Sequence, residues 1–158
     1  MSKEDELEVE SAEEAWDGPT DEEPKNIYAL FETDTTMEQQ GVVVDFGPYG
    51  RFKVARASGS NIKYSAAFKR FNKPYQKMLK RGTMPEELGK KILAQIYAES
   101  IVLAWEGILG RDNQPIPFSK ENVVKVLIDL PDLFTQIIAE SVNAESYRKE
   151  HVEDATKN

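Results

Sequence analysis

The sequence predicts a mainly α protein with one β-hairpin. This is an α+β fold in which a compact helical domain of about four helices follows a disordered acidic N-terminal tail. Three observations predict it. Apolar residues recur at helical spacing over most of 60–145. One stretch, GVVVDFGPYGRFKVARA (41–57), instead alternates apolar and polar residues around a Gly-Pro-aromatic turn. The first 25 residues offer almost nothing that a core could use. With 158 residues, 40% of them hydrophobic and 30% charged, the chain suits one modest core plus tails.

Residues 1–25 are expected to stay disordered, because self-repulsion and scarce apolar surface cannot offset the entropy of ordering. Trp16 stands out there as a candidate docking point. NIYALFETDTT (26–36) reads equally as a short helix or a strand. Residues 41–47 and 50–56 read as a hairpin around GPYG, which must pack on helices because a lone hairpin is marginal in water. SGSN (58–61) opens a helix with Ser60 or Asn61 as cap. Tyr64, Phe68, Phe71, Tyr75 and Met78 then follow at spacings of four and three, on one stripe. Pro74 kinks or restarts this helix, and Gly82 ends it.

TMPEELGKKILAQIYAESIVLAWEG (83–107) reads as one long helix, with a Thr83/Glu86 capping box and Pro85 in the first turn. Leu88, Ile92, Ile96 and Leu103 fall near one face, and Ile96 to Trp105 is apolar on most sides. Ile96, Leu103 and Trp105 are therefore the expected core anchors. Gly107 to Pro117 is expected to reverse the chain as a rigid turn. Ser119 caps the next helix, with Phe118 and Val123 as a hydrophobic staple. Pro131 interrupts, and a further amphipathic helix presents Leu133, Phe134, Ile137, Ile138 and Val142. The expected organisation is a tail over 1–25, a mostly helical domain over 26–145 and a frayed polar end over 146–158.

The net charge of −8 conceals an asymmetry. Residues 1–24 contain eleven acidic residues and one lysine, whereas Arg51 to Arg81 contains ten Lys/Arg and no Asp or Glu. The chain has no cysteine, which excludes disulfides and thiolate metal sites. No apolar run approaches the roughly 20 residues that span a bilayer, and the N-terminus lacks the pattern of a secretory signal. These features read as a soluble protein of the cytoplasm with no membrane contact.

Candidate chemistry is sparse. Neither GxxxxGK[ST] nor GxGxxG occurs. His151, the one histidine, sits in a charged C-terminal stretch and reads as a solvated side chain. A zinc site would have to rely on carboxylates almost alone. Asp112 and Asn113 lack EF-hand spacing and read as a turn. Glu99 and Glu106 would share a helix face and could form an acid/base pair, but a solvated helix flank explains them as well. No catalytic, cofactor-binding or metal-binding residue is assigned, and no enzymatic activity is expected. In the basic stretch Arg70 and Lys73 flank the aromatic stripe. Cations with aromatics can bind nucleic acid, yet here the two kinds occupy different faces, which fits an amphipathic helix better.

Taken in order, FKVARA (52–57), a small-residue loop with Asn61, KPY (73–75), RGT (81–83), WEG (105–107), PFSKEN (117–122) and DLPDLF (129–134) form a pattern. Over about 41–145 the chain resembles the tail assembly chaperones of long-tailed, non-contractile bacteriophages. The resemblance implies an assembly factor, largely helical and self-associating, made late in infection in the host cytoplasm. It also implies partners, namely the tape measure protein, which such chaperones coat, and the tail tube protein, which they recruit. Many members are made in a second, frameshifted form, and the ending ATKN is compatible with a slippery AAA-AAC codon pair. In that role Tyr64, Phe68, Phe71 and Tyr75, with Arg70 and Lys73, would line a client groove. The alternatives are a nucleic-acid-binding phage regulator using 51–81 and a minor structural tail protein.

Overall fold

The computed structural model describes residues 22–58 and 60–149. Most of the expected tail, with Trp16, lies outside the described residues, as do His151 and the C-terminal ATKN. The fold is α+β, with several helices and a small antiparallel sheet. The ambiguous 26–36 stretch resolves into helix α1 (Ile27–Phe31), capped by Asn26, and the start of α2 (Thr35–Gln40), capped by Asp34. The hairpin is present as β1 (Val42–Asp45) and β2 (Arg51–Val54), in register Val42↔Val54 through Asp45↔Arg51. Gly50 closes its turn at φ 107, and a Cβ there would lie 2.7 Å from the Glu106 carbonyl oxygen. Only glycine tolerates both the backbone conformation and the contact.

Helix α3 (Ile62–Asn72) starts at Asn61, whose side chain accepts the Tyr64 N–H. A 3-10 turn at Lys73–Tyr75 absorbs Pro74, and α4 (Gln76–Arg81) ends at Gly82 in the left-handed conformation. The restart and the stop follow the sequence. The long helix does not. Helix α5 runs only over Glu86–Ser100, begins at Pro85 and has no side-chain cap, so the Thr83/Glu86 capping box is not formed. From Val102 to Glu106 the chain is a third strand, β3, antiparallel to β2. The sheet order β1-β2-β3 replaces the single hairpin. The reason is physical: β2 has a second edge whose backbone groups need partners. The β-forming run IVLAW supplies them once α5 has ended.

This strand corrects two of the three expected anchors. Ile96 is buried in α5. Leu103 falls in the register shift opposite Lys53/Val54 and is half-buried. Trp105 is also half-buried. Its ring meets Phe52 and Phe118 edge-on at 5.9 and 5.4 Å, and its Nε1–H donates to the Ile116 carbonyl at 3.0 Å. Phe118, expected as a staple on Val123, thus supports Trp105. Residues 107–117 form a small hairpin, with a bridge between Leu109 and Pro115 and Ile116 N–H donating to Ile108 O at 2.9 Å. Ser119 then caps α6 (Lys120–Asp129), and Pro131 opens α7 (Pro131–Val142).

The main core joins Phe52 and Val54 of the sheet to Tyr97 and Ile101 of α5, Val123 and Leu127 of α6, and Phe134 and Ile137 of α7. The expected fraying from 146 begins too early. A 3-10 turn at Ala144–Tyr147 places Tyr147 at 0% exposure, with its hydroxyl donating to Val54 O at 3.0 Å. Burial raises the Tyr147 pKa well above the ordinary phenol value. An aromatic ring with a buried partner for its hydroxyl is worth more to this fold than the polar neighbours suggested.

Candidate functional site

Three surfaces are candidates: the aromatic stripe of α3, the cations around it, and a groove between the small hairpin and α6–α7. On the stripe, Tyr64, Phe71 and Tyr75 are half-buried and pack on Ala67, Ile92 and Ile96, together with Met84 and Leu88. They line the seam between α3–α4 and α5 rather than an open client groove. Only Phe68, 46% exposed and 6.1 Å from the Tyr64 ring, faces outward among the four. The stripe therefore spends most of its apolar area on this chain's own helix, as an amphipathic helix over a core does.

The cations around the stripe stay outside. Arg70 lies over the Phe71 ring at 4.6 Å and pairs with Glu99 at 3.3 Å. Glu99 also accepts from Lys120 at 2.9 Å. That hydrogen bond, reinforced by both cations against the opposing effect of burial, holds the Glu99 carboxyl below its ordinary range. A general acid needs the opposite shift. Glu106 sits on β3, not on the helix of Glu99, and is paired with Arg51 on an exposed strand face. The two carboxylates form no shared helix face. Lys73 is exposed and has no ion-pair partner among the described residues. Asp112 accepts the Gln114 N–H, and Asn113 takes a positive φ of 61°, as a tight turn requires. No group of three or more His, Cys, Asp or Glu that could hold a metal occurs among the described residues. Among them no helix is long and apolar enough to cross a membrane.

The groove is the feature that sequence reading missed. It has a volume of about 800 Å³. Its walls are Phe46 and Tyr49 from the β1–β2 turn, Ile108 and Leu109 from the small hairpin, and Leu130 and Leu133 from the α6–α7 junction. Leu109 is 53% and Leu130 49% exposed, and Tyr49 is more exposed still. Arg111, Asp112, Lys125 and Asp129 stand at its edge, with Arg111 and Asp129 3.9 Å apart. An apolar floor with a charged edge is the usual character of a binding cleft. The signal in the sequence was large apolar residues at turn and helix-end positions, where no core stripe required them. Helix α1 is a second uncovered apolar element, with Ile27, Tyr28, Leu30 and Phe31 all at least half exposed.

One polar cluster is buried. Glu38 of α2, 1% exposed, accepts from Thr33 Oγ1, from Ser60 N at 3.0 Å and from Arg56 Nη1 at 3.2 Å. Burial alone would raise its pKa. The hydrogen bonds and the Arg56 charge outweigh it, and the carboxyl titrates below its ordinary value. This cluster ties the N-terminal helices to the loop before α3, with only the Arg56 Nε left without a partner among the cluster atoms described.

Residues 58–158 match the family model described as YdaY prophage protein, a span that begins in the loop before α3 and includes β3, the small hairpin and α6–α7. No curated protein and no solved structure matches the chain. The family match covers well over half of the 158 residues, and the chain belongs to the YdaY prophage protein family, a family of phage-derived proteins.

Proposed function

We propose that the protein is a phage tail assembly chaperone that holds a helical segment of the tape measure protein in the groove between the small hairpin and α6–α7. The observation that carries this reading is the groove itself. It is apolar along its floor, charged at its edge and about 800 Å³ in volume. An amphipathic helix laid in such a groove buries one face through anchors at i, i+3, i+4 and i+7. A long helical client would otherwise aggregate through those same residues. Membership of a phage-derived family supports the setting. In this reading the chaperone acts in the host cytoplasm. It self-associates through uncovered apolar elements such as α1 and brings tail tube subunits to the coated client. Its task is binding, with no bond made or broken.

The test is co-expression with the tape measure protein, followed by co-purification. The unaltered chain should retain the client. Leu109→Asp and Leu130→Asp, each at a half-exposed groove position, should lose it while far-UV circular dichroism and melting temperature stay unchanged. Retention by both variants would remove the groove from the function. A second reading, a nucleic-acid-binding phage regulator, is favoured by the lysines of α3 and α4, which are exposed and form no ion pair among the described residues. Salt separates the two: affinity for nucleic acid should fall steeply between 50 and 200 mM, whereas client binding in an apolar groove should resist it. A minor structural role would instead leave the chain detectable by mass spectrometry in purified particles.

A further inference from the structure

We propose that the cationic face of α3 and α4 is the docking surface for the acidic N-terminal segment, residues 1–21, of the same chain. Lys63, Lys69, Lys73, Lys77, Lys80 and Arg81 are all exposed on these helices and the 3-10 turn between them. Among the described residues none of the six forms an ion pair. The arginines of the same stretch that do, Arg51, Arg56 and Arg70, take Glu106, Glu38 and Glu99 from other elements. Lys69 and Lys73 at the end of α3, and Lys77 and Arg81 within α4, are pairs four residues apart, a spacing at which like charges repel along a helix. Lys80 and Arg81 find some relief at the C-terminus of α4, where the helix dipole favours cations. Lys69 and Lys73 have the same relief at the end of α3, but a dipole term of this size offsets only part of the repulsion among six cations, so the face calls for an anionic partner.

The chain carries that partner. Residues 1–21 hold nine acidic side chains and one lysine. Extended, 21 residues reach about 70 Å, whereas the 20 residues of Ile62–Arg81 run about 30 Å. The segment is joined through two short helices to the loop before α3. It leads through α1 into α2, where Glu38 is hydrogen-bonded to Ser60, two residues before α3. A tethered segment competes at an effective concentration in the millimolar range, so it occupies the face ahead of free nucleic acid in a cell. The same cations that invite nucleic acid are thereby shielded from it, and screening by salt weakens the contact.

The chain has no cysteine, so Ser11→Cys provides one site for a nitroxide in the full-length protein. Amide signals of 62–81 should lose more than half their intensity at low salt and recover it in 0.5 M NaCl, while those of α7 keep theirs. The triple variant Lys69→Glu, Lys73→Glu, Lys77→Glu should abolish the loss without moving the melting temperature. Loss spread evenly over α6 and α7, or loss indifferent to the charge reversal, would overturn the proposal. So would equal loss when spin-labelled chain without isotope is mixed with isotope-labelled chain that carries no nitroxide, which would assign the contact to a second copy. In a parallel titration with a fluorescent 20-nucleotide single strand, the full chain should bind about tenfold more weakly than a variant with Glu4, Glu6, Glu8, Glu10, Glu13 and Glu14 changed to Gln. Equal affinities would show that the segment does not cover the face.

Discussion

Helix α5 is walled on its two sides by very different material. Towards the sheet, α6 and α7, it contributes Ala94, Tyr97, Ala98 and Ile101 to a core of fully buried aliphatic and aromatic side chains. Towards α3 and α4 it contributes Ile92 and Ile96, covered mainly by half-buried tyrosines and a phenylalanine with cations beyond them. Tyr64 touches both clusters. The first side closes its core so well that its leftover apolar groups, Leu109, Leu130 and Tyr49, gather at the edge as a groove. The second side also leaves apolar groups uncovered, Ile62, Phe68, Met78 and Leu79, but sets them among exposed cations. One wall of α5 thus ends in a mostly apolar groove, and the other mixes apolar groups with cations.

Breaking the larger core should cost most. Leu127, 1% exposed in α6, faces α5 and the sheet. Leu127→Ala should lower stability by about 3–4 kcal/mol through lost burial and the cavity left behind, read from urea denaturation. A loss under about 1 kcal/mol would mean that α6 is not part of the main cooperative unit.

The next effect concerns the polar seam that ties α2 to the loop before α3. Glu38→Gln removes the charge opposite Arg56, whose side chain is itself mostly buried, and should cost about 2–3 kcal/mol at pH 7. The Glu38 carboxyl titrates lower in the fold than in the unfolded chain. Its contribution is therefore complete above the ordinary value of 4.5 and is lost as pH falls through the folded value. Melting temperatures of the two forms should diverge at pH 6–7 and converge towards pH 3. A gap independent of pH would show that packing, not charge, holds the seam.

Much of this contrast was legible in the sequence, and the illegible part has identifiable causes. Caps at Asn61 and Ser119, the break at Pro74 and the start at Pro131 are local devices, fixed by residues within one turn of where they act. The end of α5 is not local. Residues 96–105 are apolar on most sides, and nothing within IVLAW distinguishes a buried helix from a strand. The deciding factor is the unpaired edge of β2, 50 residues away in the chain. The same non-local cause hid the groove, which exists only because β3 carries the small hairpin beside α6 and α7. Tyr147 was missed for a related reason: its partner, the Val54 carbonyl, lies 93 residues upstream. Of the aromatic stripe, Tyr64, Phe71 and Tyr75 share one cluster whereas Phe68 and Met78 are exposed, because cover comes from α5, which the spacing within α3 and α4 does not specify.

The smallest effect sharpens the comparison most. Phe71 is half-buried in the lesser cluster, with its ring under Arg70. Phe71→Ala removes partial burial and one cation–π contact, and it should cost about 1–2 kcal/mol, roughly half the Leu127 effect. The difference should also appear in where the protein opens. A wall of half-exposed rings has little to resist local separation, so amides of α3 and α4 should exchange through partial opening, faster than those of α6, and Phe71→Ala should speed the former alone. If it speeds exchange in α6 equally, the two clusters unfold as one unit. The α3–α4 wall would then be as rigid as the sheet side, and the two walls of α5 would differ in surface chemistry without a matching difference in stability.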